Sequence, residues 1–137
     1  MFNSNSQILV ESGYREAINL AKSHYENFPV VSLLVPAKFR NEIAIIYWFA
    51  RTADDYADEG NYSSSIRLEK LQAFEDRLKS LLKDNCVTQF EAALSNTIIQ
   101  RRLNPEHFFN LLKAFKQDVI KTRYEDFSEV MDYCSSS

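Results

Sequence analysis

Glycine is almost missing from this chain: there are two in 137 residues, with only three prolines and two cysteines. So few chain-breaking residues, and so little apolar–polar alternation, exclude a sandwich or barrel of short strands and predict a helical protein. Cys86 and Cys134 are far apart and outside any CxxC spacing. That excludes a disulfide framework and a paired-cysteine zinc site, and it suits reduced thiols in a cytoplasm. No basic tract is present and the net charge of −3 comes from mixed signs, so nucleic acid is not an expected partner. The longest apolar run, Ile43 to Ala50, is too short to cross a bilayer. The polar start from Met1 to Ser6 lacks the basic and apolar regions of a secretory signal. Gly-rich phosphate loops and Ser-His-Asp order signals are missing as well.

What is present is enough for a real core: 45% hydrophobic residues, including ten Phe and seven Tyr. Ser4-x-x-Gln7 resembles a capping box opening a first helix to about Asn27, with Leu9, Ile18, Ala21 and Tyr25 on its apolar side. Pro29 and Pro36 bound a connector. Pro36 then opens a second helix that stops near Gly60. Ser63 to Ser65 offer caps for a third helix to about Lys83, striped by Leu68, Leu71, Phe74, Leu78 and Leu81 or Leu82. Thr88-x-x-Glu91 is a second capping box, for a helix to about Gln100. Asn104-Pro105 starts a fifth helix with Phe108, Leu111, Leu112, Phe115 and Val119 inside. A short sixth helix is expected from near Asp126.

The second helix carries the most informative segment, Tyr47 to Gly60, where an aromatic stretch runs into carboxylates without a break in rhythm. At about 100° per residue, Ile43, Tyr47, Ala50, Asp54 and Asp58 share a face, with Arg51 beside them. That face is expected to point inward. Paired acids there repel and lose hydration, so they call for a cation. Three uses are open: a hard divalent cation such as Mg²⁺, an acid and base of a hydrolase, or a structural ion pair with an arginine. Arg51 either pairs within the helix or grips a phosphate with its planar fork. Tyr47 and Phe28 are either core or the wall of an apolar or cationic site. His24 reads as a helix-end partner, and Asp118 as a partner of Lys121 or Arg123 in preference to an acid at the site mouth.

Several segments together resemble the squalene/phytoene synthase family. They are His24-Tyr25-Glu26-Asn27-Phe28-Pro29-Val30, Phe49-Ala50-Arg51-Thr52-Ala53-Asp54-Asp55-Tyr56-Ala57-Asp58-Glu59-Gly60, Gln117-Asp118 with Thr122-Arg123-Tyr124, and Asp132-Tyr133-Cys134. The branch they are most similar to is the bacterial hopanoid-pathway squalene synthase. The resemblance implies an all-α isoprenoid synthase fold, with the N-terminal portion of a helical bundle around a central cavity. It implies Mg²⁺ and a prenyl diphosphate substrate, either presqualene diphosphate converted to hydroxysqualene or farnesyl diphosphate undergoing coupling. Carried over by position, Asp54 and Asp58 would hold diphosphate through Mg²⁺, and Arg51 would contact diphosphate. Tyr47, His24 and Phe28 would line the substrate site, and Tyr133 would lie near the reacting carbons.

The family's second DxxxD motif does not occur before Ser137, so residues 1–137 are expected to be an N-terminal part of the domain, inactive alone and prone to self-association. The alternative is a short native terminal helix. A very apolar product makes peripheral membrane contact compatible with a cytoplasmic protein. Two other classes stand beside the enzyme: a helical remnant or interaction module without turnover, and a generic divalent-cation-binding bundle.

Overall fold

The computed structural model describes residues 4–24 and 36–136, with side chains described at 7–23, 36 and 38–121. Among the described residues, regular secondary structure is helical only. Five α-helices follow in order: α1 (Ser4–His24), α2 (Arg40–Asp58), α3 (Ser64–Leu82), α4 (Gln89–Gln100) and α5 (Glu106–Ser136). A 3-10 turn, Ala37–Phe39, leads into α2 directly after Pro36. Three of the expected caps form, while the side chain of Ser4 lies outside the described set. Ser63 accepts from the Ile66 N–H, Thr88 from the Glu91 N–H at 3.1 Å, and Asn104 Oδ1 from the Glu106 N–H at 3.0 Å.

Two local expectations are corrected. No separate sixth helix begins near Asp126, because α5 runs unbroken to Ser136. Residues 106–136 hold neither Gly nor Pro, and nothing else in them opposes helix continuation. The box at Thr88 also closes differently. The Glu91 carboxylate accepts from the Val87 N–H at 3.1 Å and pairs with Arg77 of α3 at 2.6 Å. A capping residue thereby becomes a buried tie between α3 and α4.

α2 runs through the middle of the bundle, packed against each of the other four helices. Its buried residues are Ala44, Ile45, Phe49 and Ala53. Phe49 sits between Phe74 of α3, stacked at 5.0 Å, and Phe108 of α5, edge-on at 5.2 Å. Trp48 stacks on Phe90 of α4 at 4.8 Å. Leu71, Leu78 and Leu81 of α3 and Phe108, Leu112 and Val119 of α5 fill the rest, as their helical spacing predicts.

α1 lies against α2 and α4 through small residues. Val10, Gly13, Ala17 and Ala21 are its buried positions, while Leu9 and Ile18 are half-buried. Ser12 donates to Gln89 of α4. Asn96 donates to the Tyr14 hydroxyl at 3.0 Å, Tyr14 pairs with Thr97 at 2.7 Å, and Thr97 donates to the Ala93 carbonyl at 3.0 Å. These bonds form a satisfied polar chain across the α1–α4 seam. A hollow of about 330 Å³ lies beside it, lined in part by Val10, Tyr14 and Asn96.

Glycine scarcity leaves its mark at helix ends. Beyond α3 and α4 the left-handed positions fall to Asp84 (φ 64°) and Arg102 (φ 51°), each at a cost of roughly 1–2 kcal/mol.

A second tie links α3 to α5. Burial pushes the Glu75 carboxyl up, but hydrogen bonds from Lys116 and Gln72, with Lys79 nearby, more than reverse this and leave its pKa below the usual value. Its contribution to stability is therefore complete above the unfolded glutamate pKa and is lost as pH falls through the folded value. Thermal melts between about pH 5 and pH 3 should show the wild type losing more stability than Glu75→Gln. Equal losses would remove Glu75 from the acid response.

Candidate functional site

The C-terminal turns of α2 are electrostatically anomalous. Asp54, Asp55 and Asp58, followed by Glu59, crowd the negative end of the helix dipole, and the last turn holds no basic residue. Such an end needs cations, and two arginines answer. Arg51, within α2, reaches Asp55 at 3.1 Å, Asp54 at 3.7 Å and Glu59 at 4.0 Å. Its side chain is 48% exposed and that of Asp54 42%, which limits each pair to about 0–1 kcal/mol.

Arg67, from the first turn of α3, donates to the Glu59 carbonyl at 3.1 Å and the Gly60 carbonyl at 2.7 Å. This fork closes the end of α2. Gly60 there has φ +79°, and a Cβ on it would lie 2.6 Å from the Tyr62 ring. Only glycine fits both demands. The Lys70 ammonium in turn sits 3.7 Å from the centroid of that ring.

Next to this corner a cleft of about 250 Å³ opens between α2, α3 and α5. Ala57, Phe115 and Val119 supply its apolar surface; Asp54, Asp58, Asp118, Ser64 and Arg67 supply the polar groups. Asp54 is half-buried, and Asp58 and Asp118 are exposed. Three carboxylates against one guanidinium make the cleft attractive to a cation. Among the described residues no three carboxylate, histidine or cysteine groups converge into a preformed metal cluster.

The stripe Ile43, Tyr47, Ala50, Asp54, Asp58 is not the buried face of α2. Phe49 and Asp54 are five residues, about 140°, apart around the helix, and the deepest positions are Ala44, Ile45, Phe49 and Ala53. The carboxylates lie instead on a partly covered face that opens into the cleft, where acids retain some hydration. Tyr47 is half-buried against the core. Arg51 is engaged along α2 and does not line the cleft. His24 ends α1 with its side chain outside the described set; Phe28 lies outside the described residues. Tyr133 falls within α5, again with an undescribed side chain.

Sequence reading missed Ser64 and Arg67 and gave Asp118 a structural pairing. A signal for Arg67 was available, since it is the first basic residue after four acids at a helix end. Asp118 stands between Phe115 and Val119 on the helical stripe that frames the cleft.

Residues 21–137 match the family model described as squalene/phytoene synthase. Over 113 residues the chain is 42% identical to hydroxysqualene synthase of Rhodopseudomonas palustris and 39% identical to that of Sinorhizobium fredii, in each case 82% of this chain and 37% of the relative. The structure resembles that of squalene synthase HpnC from Alicyclobacillus acidocaldarius, with TM-score 0.73 and 33% identity over 81% of this chain and 41% of that one. The chain thus spans well under half the length of the relatives it matches. Its helices adopt the isoprenoid synthase fold of that neighbour. From the matched residues and the shared fold together, the chain belongs to the squalene/phytoene synthase family.

Proposed function

We propose that this chain supplies an aspartate-bearing wall of a Mg²⁺-dependent prenyl-diphosphate site. In this reading the whole protein ionises presqualene diphosphate, water adds to the carbocation with loss of a proton, and hydroxysqualene and diphosphate are released, within squalene or hopanoid biosynthesis. The observation that carries the reading is the opening of Asp54 and Asp58, one turn apart, into the same cleft. The 42% identity to a hydroxysqualene synthase favours this substrate over coupling of farnesyl diphosphate or a carotenoid route.

The donor set suits the ion. Mg²⁺ takes hard oxygen ligands and commonly one or two carboxylates, completing its shell with water and phosphate oxygens, so no three-residue cluster is required. Asp54 and Asp58 would hold it. When bound it would supply charge neutralisation for the departing diphosphate.

The remaining work falls to side chains. Three carboxylates outweigh the one guanidinium of the cleft, so a diphosphate is repelled until a cation offsets the excess charge. Arg51, held only by half-exposed pairs, is free energetically to turn toward diphosphate oxygens. Tyr47 packs against the core, and a place for it in the substrate wall rests on the family likeness. His24 and Phe28 would line the substrate site and Tyr133 would lie near the reacting carbons, roles that rest on the same likeness. The very apolar product makes peripheral membrane contact part of the same reading.

Incubating the whole protein with Mg²⁺ and either presqualene or farnesyl diphosphate tests the proposal. Hydroxysqualene from presqualene diphosphate is the expected product. Squalene or a phytoene-like hydrocarbon from farnesyl diphosphate would move the protein to another branch. Absence of turnover with both would favour a helical remnant without catalysis.

A further inference from the structure

The acid-rich end of α2 faces two opposing demands. Its carboxylates must stay ionised to attract a cation, yet their charge adds to the negative end of the helix dipole and favours fraying of the turn that carries Asp58. Arg51 reaches only side chains. The backbone of the turn after Asp58 is held from another helix: the two Arg67 Nη groups bind the successive carbonyls of Glu59 and Gly60. α3 is anchored near that point, with Ser63 capping its N-terminus and Leu71 fully buried one turn further on.

We propose that Arg67 is a positioning residue for the cleft: by clamping the Glu59 and Gly60 carbonyls it fixes the register of Asp58 against Asp54 before any cation arrives. This inference rests on reading those aspartates as the cation-binding pair. A fork is needed because two carbonyls on successive residues must be held together. A guanidinium does that with two nitrogens in fixed geometry, whereas an ammonium acts as a point donor. Arg67 also lines the cleft itself, so its charge balances part of the acid excess while the backbone is held.

The test uses the whole protein, with MgCl₂ and inorganic pyrophosphate as the probe. Calorimetric titration of wild type, Asp54→Asn, Arg67→Gln and Arg67→Lys is combined with hydrogen exchange at the Asp58 and Glu59 amides. Wild type is expected to bind and Asp54→Asn to lose binding. Arg67→Gln should weaken Mg²⁺-dependent binding at least about tenfold, the scale typical of groups that orient metal ligands, and it should speed exchange at the two amides. Arg67→Lys should fall between it and wild type.

Should wild type fail to bind, or Asp54→Asn bind equally well, the underlying reading of the aspartates is lost and this inference with it. Normal binding by Arg67→Gln, alongside loss in Asp54→Asn, overturns the positioning role alone. Faster exchange with unchanged Mg²⁺ affinity also overturns it, since Arg67 would then be a helix cap and no more. If Arg67→Gln does not fold, the same criteria apply to Arg67→Lys, which keeps the charge.

Discussion

Asp54→Asn and Asp58→Asn should each reduce turnover of the whole protein by more than about 10²-fold, the scale for removing a charge-stabilising group, while helix content stays unchanged. The substitution keeps side-chain shape and removes one negative charge. Asp54 is half-buried and Asp58 exposed, so neither contributes much to packing. Both stand at the negative end of the α2 dipole, where losing a negative charge stabilises the helix by about 0.3–1 kcal/mol. For Asp58→Asn activity and melting temperature are therefore expected to move in opposite directions, while in Asp54→Asn the lost Arg51 pair offsets the gain. Steady-state assays beside thermal melts read both. A wild-type rate in either variant removes that residue from metal binding.

Gly13→Ala should destabilise the protein even though it replaces a poor helix former with the best one. In an isolated helix the change gains about 1 kcal/mol. Here the new Cβ would lie 2.1 Å from the Gln89 carbonyl oxygen and 2.8 Å from the Ala93 Cβ. The nearest obstacle is backbone of α4, which cannot rotate away as a side-chain tip would. α1 must move, straining the Ser12–Gln89 and Tyr14–Thr97 bonds on either side. A loss of about 1–3 kcal/mol follows from overpacking of this kind. Thermal melts should show a fall of several degrees, whereas a rise would mean that propensity governs this position and the helices separate easily.

The two predictions test different kinds of knowledge. The limits of α2 to α4 and the start of α5 were legible because caps and breakers are local: Ser63, Thr88 and Asn104 act on N–H groups within three residues, while the expected end of the first helix near Asn27 lies outside the described residues. The leucine and phenylalanine stripes of α3 and α5 were legible for a similar reason. Each helix has one broad covered face filled by large side chains, and hydrophobic periodicity reports that arrangement. The sixth helix failed because a polar run such as Lys121 to Glu125 weakens apolar periodicity without breaking helical hydrogen bonding.

Two faces were misplaced, for one reason. On α1 Ala21 is buried as expected, but its buried companions are Val10, Gly13 and Ala17, whereas the larger Leu9 and Ile18 are half-buried and Tyr25 lies outside the described residues. On α2 they include Ala44 and Ala53. Where helices approach most closely, small side chains occupy the seam, and a hydrophobicity stripe weighted by bulk points elsewhere. A helix surrounded on several sides, as α2 is, has no single moment to read.

The sequence by itself determined that the chain is helical, where most of its helices begin, and that Asp54 and Asp58 lie one turn apart. Those features depend on short-range sterics, hydrogen bonds and a period of about 3.6 residues. Only the tertiary structure decided that these acids border a cleft instead of the core, that Asp118 joins them from α5, and that Arg67 closes the turn from α3. Residues 54, 67 and 118 meet through the packing of three helices, and their rotation about one another is set by the close contacts at the seams. No local pattern carries that rotation.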